Sequence, residues 1–353
     1  MNRVRVIVAA AALLAGPACA DTVDAIVKDA KDRDGIPGIA LLVMRAGRVE
    51  RIGTYGLANV EHRVPVTRTT MFQSGSLGKQ FTAAAVLLLA ERGQLSLDDR
   101  IDKYLPAGPP GWEAITIRHL LDHSSGIRDS EDGGEIFDLR HEYSDAEFIE
   151  VLQSFPLDFA PGSCWKYNNS GYILAGIIVT RVAGMFYGDF LAREVFRPLG
   201  MRTAQIISDT DIVPNRAAGY LRTPGGVRNQ DFASAALNAT GDGSLSLSLE
   251  DWSAWIAALD RRALLSQASY DVFWGRTRTS DGQVLDHGYT WDHTSIDGHP
   301  VLEFDGSWQG FRTAIARDPA TRLTIVVLAN LAAASPERIA RAALAAVAGW
   351  RQR

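Results

Sequence analysis

Apolar and polar positions along the chain follow two different periods, and the change from one to the other marks the expected elements. Val23, Ile26, Val27 and Ala30 recur three and four apart, so 22–33 reads as an amphipathic helix with one apolar stripe. Gly38–Arg45 is an almost unbroken apolar run, Ala46-Gly47 is a turn, and 49–55 follows as the second strand of a hairpin. A second hairpin is expected near the other end, with 310–316 and 323–328 as strands around Asp318-Pro319. Ser335-Pro336-Glu337 then opens an alanine-rich helix, with serine as N-cap and proline in the first helical position. Between the ends the pattern is mainly helical. One apolar helix follows Gly75 and is closed by Gly93, a second covers 170–183, and Ser248 caps a third. Helix and strands at both ends with helices between them predict an α+β fold. One antiparallel sheet is built from both termini, flanked by helices and carrying a mainly helical inserted lobe. No repeat or low-complexity linker interrupts 21–353, which reads as one domain with non-contiguous lobes.

The first twenty residues depart from this pattern. Arg3 and Arg5 precede the apolar run 6–15, and Ala18-Cys19-Ala20 stands before Asp21. That order reads as a secretory signal peptide over 1–20, cleaved after Ala20 and too short to span a bilayer, so a periplasmic or secreted protein is expected. Gly16-Pro17-Ala18-Cys19 also resembles a lipoprotein cleavage site, without the leucine usual three places before the cysteine. Cleavage removes two arginines and no acid, which takes the formal net charge from −5 to −7. With no basic cluster, neither nucleic acid nor an anionic membrane surface is expected as partner. Cys164 is then the one cysteine left, so no intramolecular disulfide is available and the fold must rest on its core. No later stretch is long and apolar enough to cross a membrane, 172–179 being ended by Thr180 and Arg181.

Candidate chemistry begins at Ser76. Lys79 lies three residues on, so one helical turn places hydroxyl and amine on the same face. A serine hydroxyl is a weak nucleophile until a neighbouring base takes its proton. Burial near a helix N-terminus disfavours the lysine ammonium, and the same dipole favours a developing alkoxide. Ser-x-x-Lys can therefore act as a serine-hydrolase pair without histidine. A chain of this length holds about one such spacing by chance, and this one holds two. Ser163 and Lys166 follow Pro161-Gly162 in an expected loop, where i and i+3 need not share a face, and are read as coincidence. Five lysines stand against thirty-one arginines, so a lysine on an apolar helix face asks for a reason. Tyr167 and Asn169 form a second cluster just before the helix over 170–183. A phenol beside an ammonium can act as base and later as acid, and the amide can orient substrate or lysine. The plainer reading of that cluster is a turn and an N-capped helix.

Other signals are weaker. His119 and His123 are four apart, but no third ligand or His-Glu-x-x-His accompanies them, and no metal is expected. Asp286-His287 and Asp292-His293 do not make a hydrolase triad credible, because Ser76 is not in a Gly-x-Ser-x-Gly elbow. Trp112, Trp252 and Trp255 read as core, with Trp165 and Trp308 as cleft walls.

Taken together, these motifs resemble those of the serine beta-lactamase-related hydrolases, which include class C beta-lactamases, D-alanyl peptidases and esterases. The resemblance covers nearly the whole mature chain. It runs through Ser76-Leu77-Gly78-Lys79, 115–126, Tyr167-Asn168-Asn169, Pro198-Leu199-Gly200-Met201, Ala218-Gly219-Tyr220 and Asp242-Gly243-Ser244-Leu245. It implies a beta-lactamase/transpeptidase-like fold and an acyl-enzyme on Ser76, with Lys79 and Tyr167 as the proton-transfer pair. Asn169 would be a hydrogen-bond partner of substrate or lysine. A small ester or amide substrate is implied, and no metal or organic cofactor. The third family motif is where the chain departs, since Phe304 stands where a cation or histidine is usual. Phe304, Gly306, Ser307 and Trp308 are expected at the substrate, with the backbone N–H groups of Ser76 and Ser307 as oxyanion donors. Phe304 turns the expectation toward neutral esters and away from beta-lactams and D-alanyl peptides. A non-catalytic cell-wall binding or regulatory protein is the reading from another class, and retention of Ser76, Lys79, Tyr167 and Asn169 together counts against it.

Overall fold

The structure is a computed structural model that describes residues 17–130, 136–206, 210–243 and 245–350. Most of the expected signal peptide lies outside the described residues. The described part of the chain opens with helix α1 (Pro17–Arg33), whose start precedes the expected cleavage point. Strands β1 (Gly38–Arg45), β2 (Arg48–Asn59), β3 (Val64–Pro65) and β4 (Phe72–Gln73) follow. The middle is mainly helical, with α2 (Lys79–Glu91), α3 (Ile117–Leu121), α4 (Asp145–Gln153), α5 (Asn169–Ala183), α6 (Tyr187–Leu191) and α7 (Arg197–Leu199). After the small hairpin β5 (Tyr220–Thr223) and β6 (Gly226–Asn229) come β7 (Ser246–Leu247), α8 (Leu249–Arg261) and α9 (Gln267–Phe273). The chain then returns to the sheet through β8 (Asp292–Ile296), β9 (His299–Trp308), β10 (Phe311–Asp318) and β11 (Leu323–Ala329), and ends in α10 (Pro336–Ala348).

The main sheet has the order β3-β2-β1-β11-β10-β9-β8, with antiparallel neighbours. The two ends of the chain meet at its centre, where β1 pairs with β11 from Ile39↔Ala329 to Arg45↔Leu323. Both faces of this centre are covered, which is why Gly38–Arg45 is apolar throughout instead of alternating. Ile39, Leu41 and Val43 pack with Val23 and Val27 of α1 and Ile339 and Leu344 of α10. Ala40, Leu42 and Met44 face the larger core under the middle helices, with Phe81, Trp252 and Trp255.

The expected hairpins are present, and β2 runs on to Asn59, beyond the expected end at 55. Strands β8 and β9 were not legible by period. In β8 no residue is fully buried, and β9 carries Pro300, Asp305 and Gly306, so neither presents an apolar run. Ser335 occupies the cap position of α10 without a side-chain capping bond, whereas Ser248 makes a full capping box with Asp251.

Candidate active site

Three chain segments meet around Ser76. The turn Gly75–Gly78 is a short 3-10 helix that feeds directly into α2, so Ser76 and Lys79 share one face as their spacing requires. Gly75 has φ +51°, and a methyl group there would fall 2.4 Å from Ser307 N of β9. A methyl group at Gly306 would fall 2.3 Å from Ser74 O and 2.8 Å from Ser76 N, and one at Gly243 2.6 Å from Gly75 O. Only glycine permits these approaches. Thr313 Oγ1 donates to Ser74 O at 2.6 Å and Ser74 Oγ to Gly243 O at 3.0 Å, which ties the turn to β10 and to the loop before β7. The backbone nitrogens of Ser76 and Ser307 are thereby brought together beside the serine.

Lys79 is wholly buried. Its Nζ donates to Ser76 Oγ at 3.2 Å, to Asn169 Oδ1 at 2.7 Å and to the Asp242 carbonyl at 2.5 Å, one acceptor for each hydrogen of an ammonium. It also lies 5.0 Å from the Tyr167 ring centroid and 5.5 Å from that of Tyr172. The Tyr167 hydroxyl hydrogen-bonds Ser76 Oγ at 2.5 Å. Asn169 is the first residue of α5, and Asn168 before it caps the helix by accepting the Gly171 N–H at 2.7 Å. The buried Asp129 carboxylate accepts from Asn169 N and, at 3.4 Å, from Asn169 Nδ2, which turns Asn169 Oδ1 toward the lysine. Ser76, Lys79, Tyr167 and Asn169, separated by up to 93 positions, thus form one cluster.

Ser76, Ser307, Asn169, Leu237, Asp242 and Trp308 line the cleft above the serine. Trp308 Nε1 donates to Asn238 Oδ1 at 2.8 Å, so the loop that carries Leu237 is tied to the tip of β9. Phe304 alternates with Gly306 and Trp308 on one face of β9. It is buried beside Tyr167, with ring centroids 6.4 Å apart. Gly306 makes the close backbone approach described above. Arg312, a cation on the neighbouring strand, sits opposite Ser307 on β10. Its neighbours Ala314 and Ala316 face α10, and its Nε donates to Ala332 O at 3.0 Å, so it points away from the cleft.

The second Ser-x-x-Lys lies elsewhere. Ser163 Oγ donates to Ala160 O at 2.7 Å and Lys166 Nζ to Asp158 Oδ2 at 2.8 Å at the surface. Trp165, expected as a cleft wall, stacks on His287 at 3.9 Å, and the His287 ring is paired with Asp292 at 2.6 Å. Trp112, Trp252 and Trp255 are buried. Among the described residues no group of three or more His, Cys, Asp or Glu could hold a metal. Sequence reasoning missed Asp129, the Asp242 carbonyl, Leu237 and His123 as neighbours of the cluster. Asp242 and His123 stood inside motifs already singled out, whereas nothing in the pattern marked Asp129.

With this geometry in place, the comparisons with known proteins identify the class. The Beta-lactamase family model matches residues 23–349, so the chain belongs to the beta-lactamase family of serine hydrolases. Penicillin-binding protein 4* of Bacillus subtilis (strain 168) is 27% identical over 307 residues, covering 82% of this chain and 67% of that one. A D-aminopeptidase of Gluconobacter oxydans (strain 621H) is 30% identical over 302 residues, covering 83% of this chain and 56% of the relative. The chain therefore spans between about half and two thirds of the length of these relatives. Among solved structures, the octameric penicillin-binding protein homologue from Pyrococcus abyssi matches with a TM-score of 0.81 at 25% identity, over 94% of this chain and 77% of that one. The D-amino acid amidase from Ochrobactrum anthropi SV3 matches in fold with a TM-score of 0.81 at 21% identity, over 95% and 100%.

Proposed function

We propose that the protein hydrolyses small esters and amides that carry no carboxylate beside the reacting carbonyl, through an acyl-enzyme on Ser76. Ser76 Oγ attacks the carbonyl carbon while its proton passes to the Tyr167–Lys79 pair. The backbone N–H groups of Ser76 and Ser307 receive the oxyanion. Collapse expels the alcohol or amine, which takes its proton through Tyr167. Water then attacks the acyl-enzyme with the same pair as base and frees the acid.

The observation that carries the substrate reading is the cation-free third motif on β9. Phe304 stands beside Tyr167 and offers no charge, and Arg312 is turned to the other face of the sheet. A substrate carboxylate would be desolvated there without the charge-assisted partner, worth about 1.5–3 kcal/mol, that a lysine or histidine supplies. Neutral short-chain esters meet no such penalty. The likeness to a D-aminopeptidase supports a second substrate class, amides that present an amine instead of a carboxylate. The signal-peptide reading of 1–20 puts this activity outside the cytoplasm, and the intact mass of the exported protein checks cleavage after Ala20.

The test is a comparison of kcat/KM for p-nitrophenyl butyrate, D-alanine p-nitroanilide and a cephalosporin. The cephalosporin is expected to be the poorest by at least about tenfold, and Phe304→His should narrow that gap. Equal turnover of the cephalosporin by the unaltered protein would reject the reading.

A further inference from the structure

Three consecutive residues of the loop that carries Tyr167 are held by His123. The His123 carbonyl accepts the Lys166 N–H at 3.0 Å. Its imidazole lies against the Tyr167 ring, with centroids 4.7 Å apart and planes 30° from parallel. Its Nδ1 accepts the Asn168 N–H at 3.0 Å. The same imidazole lies 5.2 Å from the Tyr172 ring at 31°, and it meets Trp165 edge-on at 6.0 Å. Tyr167 and Tyr172 are the two rings beside Lys79 Nζ, so one side chain packs against both aromatic neighbours of the buried cation.

Histidine suits this place for two separate reasons. His123 has φ +61°, a region that bulky residues avoid and that Asn, Asp and His enter more readily. It must also offer an acceptor at the δ position to a buried N–H while presenting a flat ring to a phenol. With Nδ1 accepting, the ring hydrogen belongs on Nε2. Full burial, with the Lys79 charge as a second cause, pushes the imidazole down to about 3, so it stays neutral and Lys79 keeps its place as the cation of the cluster.

We propose that His123 is the positioning residue for Tyr167, fixing the phenol on Ser76 Oγ, so that the reactivity of Ser76 depends on it. This rests on the Ser76–Tyr167 mechanism above and adds a residue that does not touch the substrate. His123→Asn separates the two duties, because asparagine tolerates positive φ and its Oδ1 stands where Nδ1 stood, while the ring is lost. The readout is the second-order rate at which a fluorophosphonate labels Ser76, followed by intact mass in four proteins: unaltered, H123N, Y167F and H123N/Y167F. Expected is a loss of roughly ten- to fiftyfold on H123N when Tyr167 is present, and less than twofold more when it is already Phe. His123→Gln, which keeps an acceptor on a longer chain, repeats the cycle where H123N does not fold to a cooperative thermal transition. Labelling of H123N as fast as the unaltered protein, or an equal loss in both backgrounds, overturns the proposal. An unaltered protein that is never labelled overturns the Ser76 mechanism itself, and with it the ground for His123.

Discussion

Two places in this chain carry the same four-residue spacing, and the structure treats them in opposite ways. Ser76 and Lys79 lie where a 3-10 turn enters a buried helix, with the lysine sealed from water and surrounded by three oxygen acceptors. Ser163 and Lys166 lie in a surface loop, where the serine bonds a carbonyl three residues back and the lysine pairs with Asp158. The residue types and spacing are identical, so the chemistry cannot reside in them alone. The first pair can act because other segments supply a phenol, an amide and the Ser307 backbone nitrogen, and because burial makes every charge there costly to leave unpaired. The second is exposed, and its lysine is engaged by a surface carboxylate instead of by its serine.

The largest effect expected is on the nucleophile. Ser76→Ala should lower turnover about 10⁴-fold and remove the fluorophosphonate adduct. Ser163→Ala should leave both within twofold. An adduct that survives Ser76→Ala would place the nucleophile elsewhere and end the contrast.

A second, smaller effect separates the lysines. Arginine keeps the charge at any working pH, cannot give up a proton and is larger than the space around Nζ, so Lys79→Arg should lose about 10³-fold in kcat. Lys166→Arg should keep kcat within twofold and stability within about 1 kcal/mol, as surface ion pairs contribute little. Near-normal kcat in Lys79→Arg would remove proton transfer from the lysine's role.

The smallest effect is on stability, and it tests the burial beside the first pair. Asp122 and His123 are adjacent and buried, and their ionisations are shifted in opposite senses. Burial holds His123 near 3, below its ordinary 6.5, and raises Asp122 from 3.8 to about 6. Below pH 6.5 the unfolded chain takes a proton on His123 that the fold refuses, so stability is lost as pH falls toward 3. From pH 6 to 3.8 the fold takes a proton on Asp122 before the unfolded chain does, so stability rises as pH falls. The two slopes offset each other between about pH 6 and 4. Asp122→Asn removes only the second, so its thermal transition should drop more steeply than that of the unaltered protein over this range. The difference in slope should approach about 1.4 kcal/mol per pH unit. Parallel curves for the two proteins would show that this burial is not felt.

Some features followed from the amino-acid order alone, because their physics acts over a few residues. Period 3.6 in 22–33 and 170–183, the apolar run at Gly38–Arg45, the glycine at 93 and the Ser248 capping box are decided by neighbours three or four positions away. The geometry of Ser76 and Lys79 on one helical face belongs to the same group. Tertiary structure decided which of the two Ser-x-x-Lys pairs is buried, put Phe304 beside Tyr167 and turned Arg312 to the α10 face. It also set His123 beneath the loop at 166–168. These outcomes depend on contacts such as Tyr167 to Ser76, 91 positions apart, and Thr313 to Ser74, 239 apart. Such contacts leave no period in a single sequence, since their residues have no shared helix turn or strand pair to impose one. Strands β8 and β9 belong with them, because the residues around Gly306 are constrained by the serine turn they touch and not by an apolar run of their own.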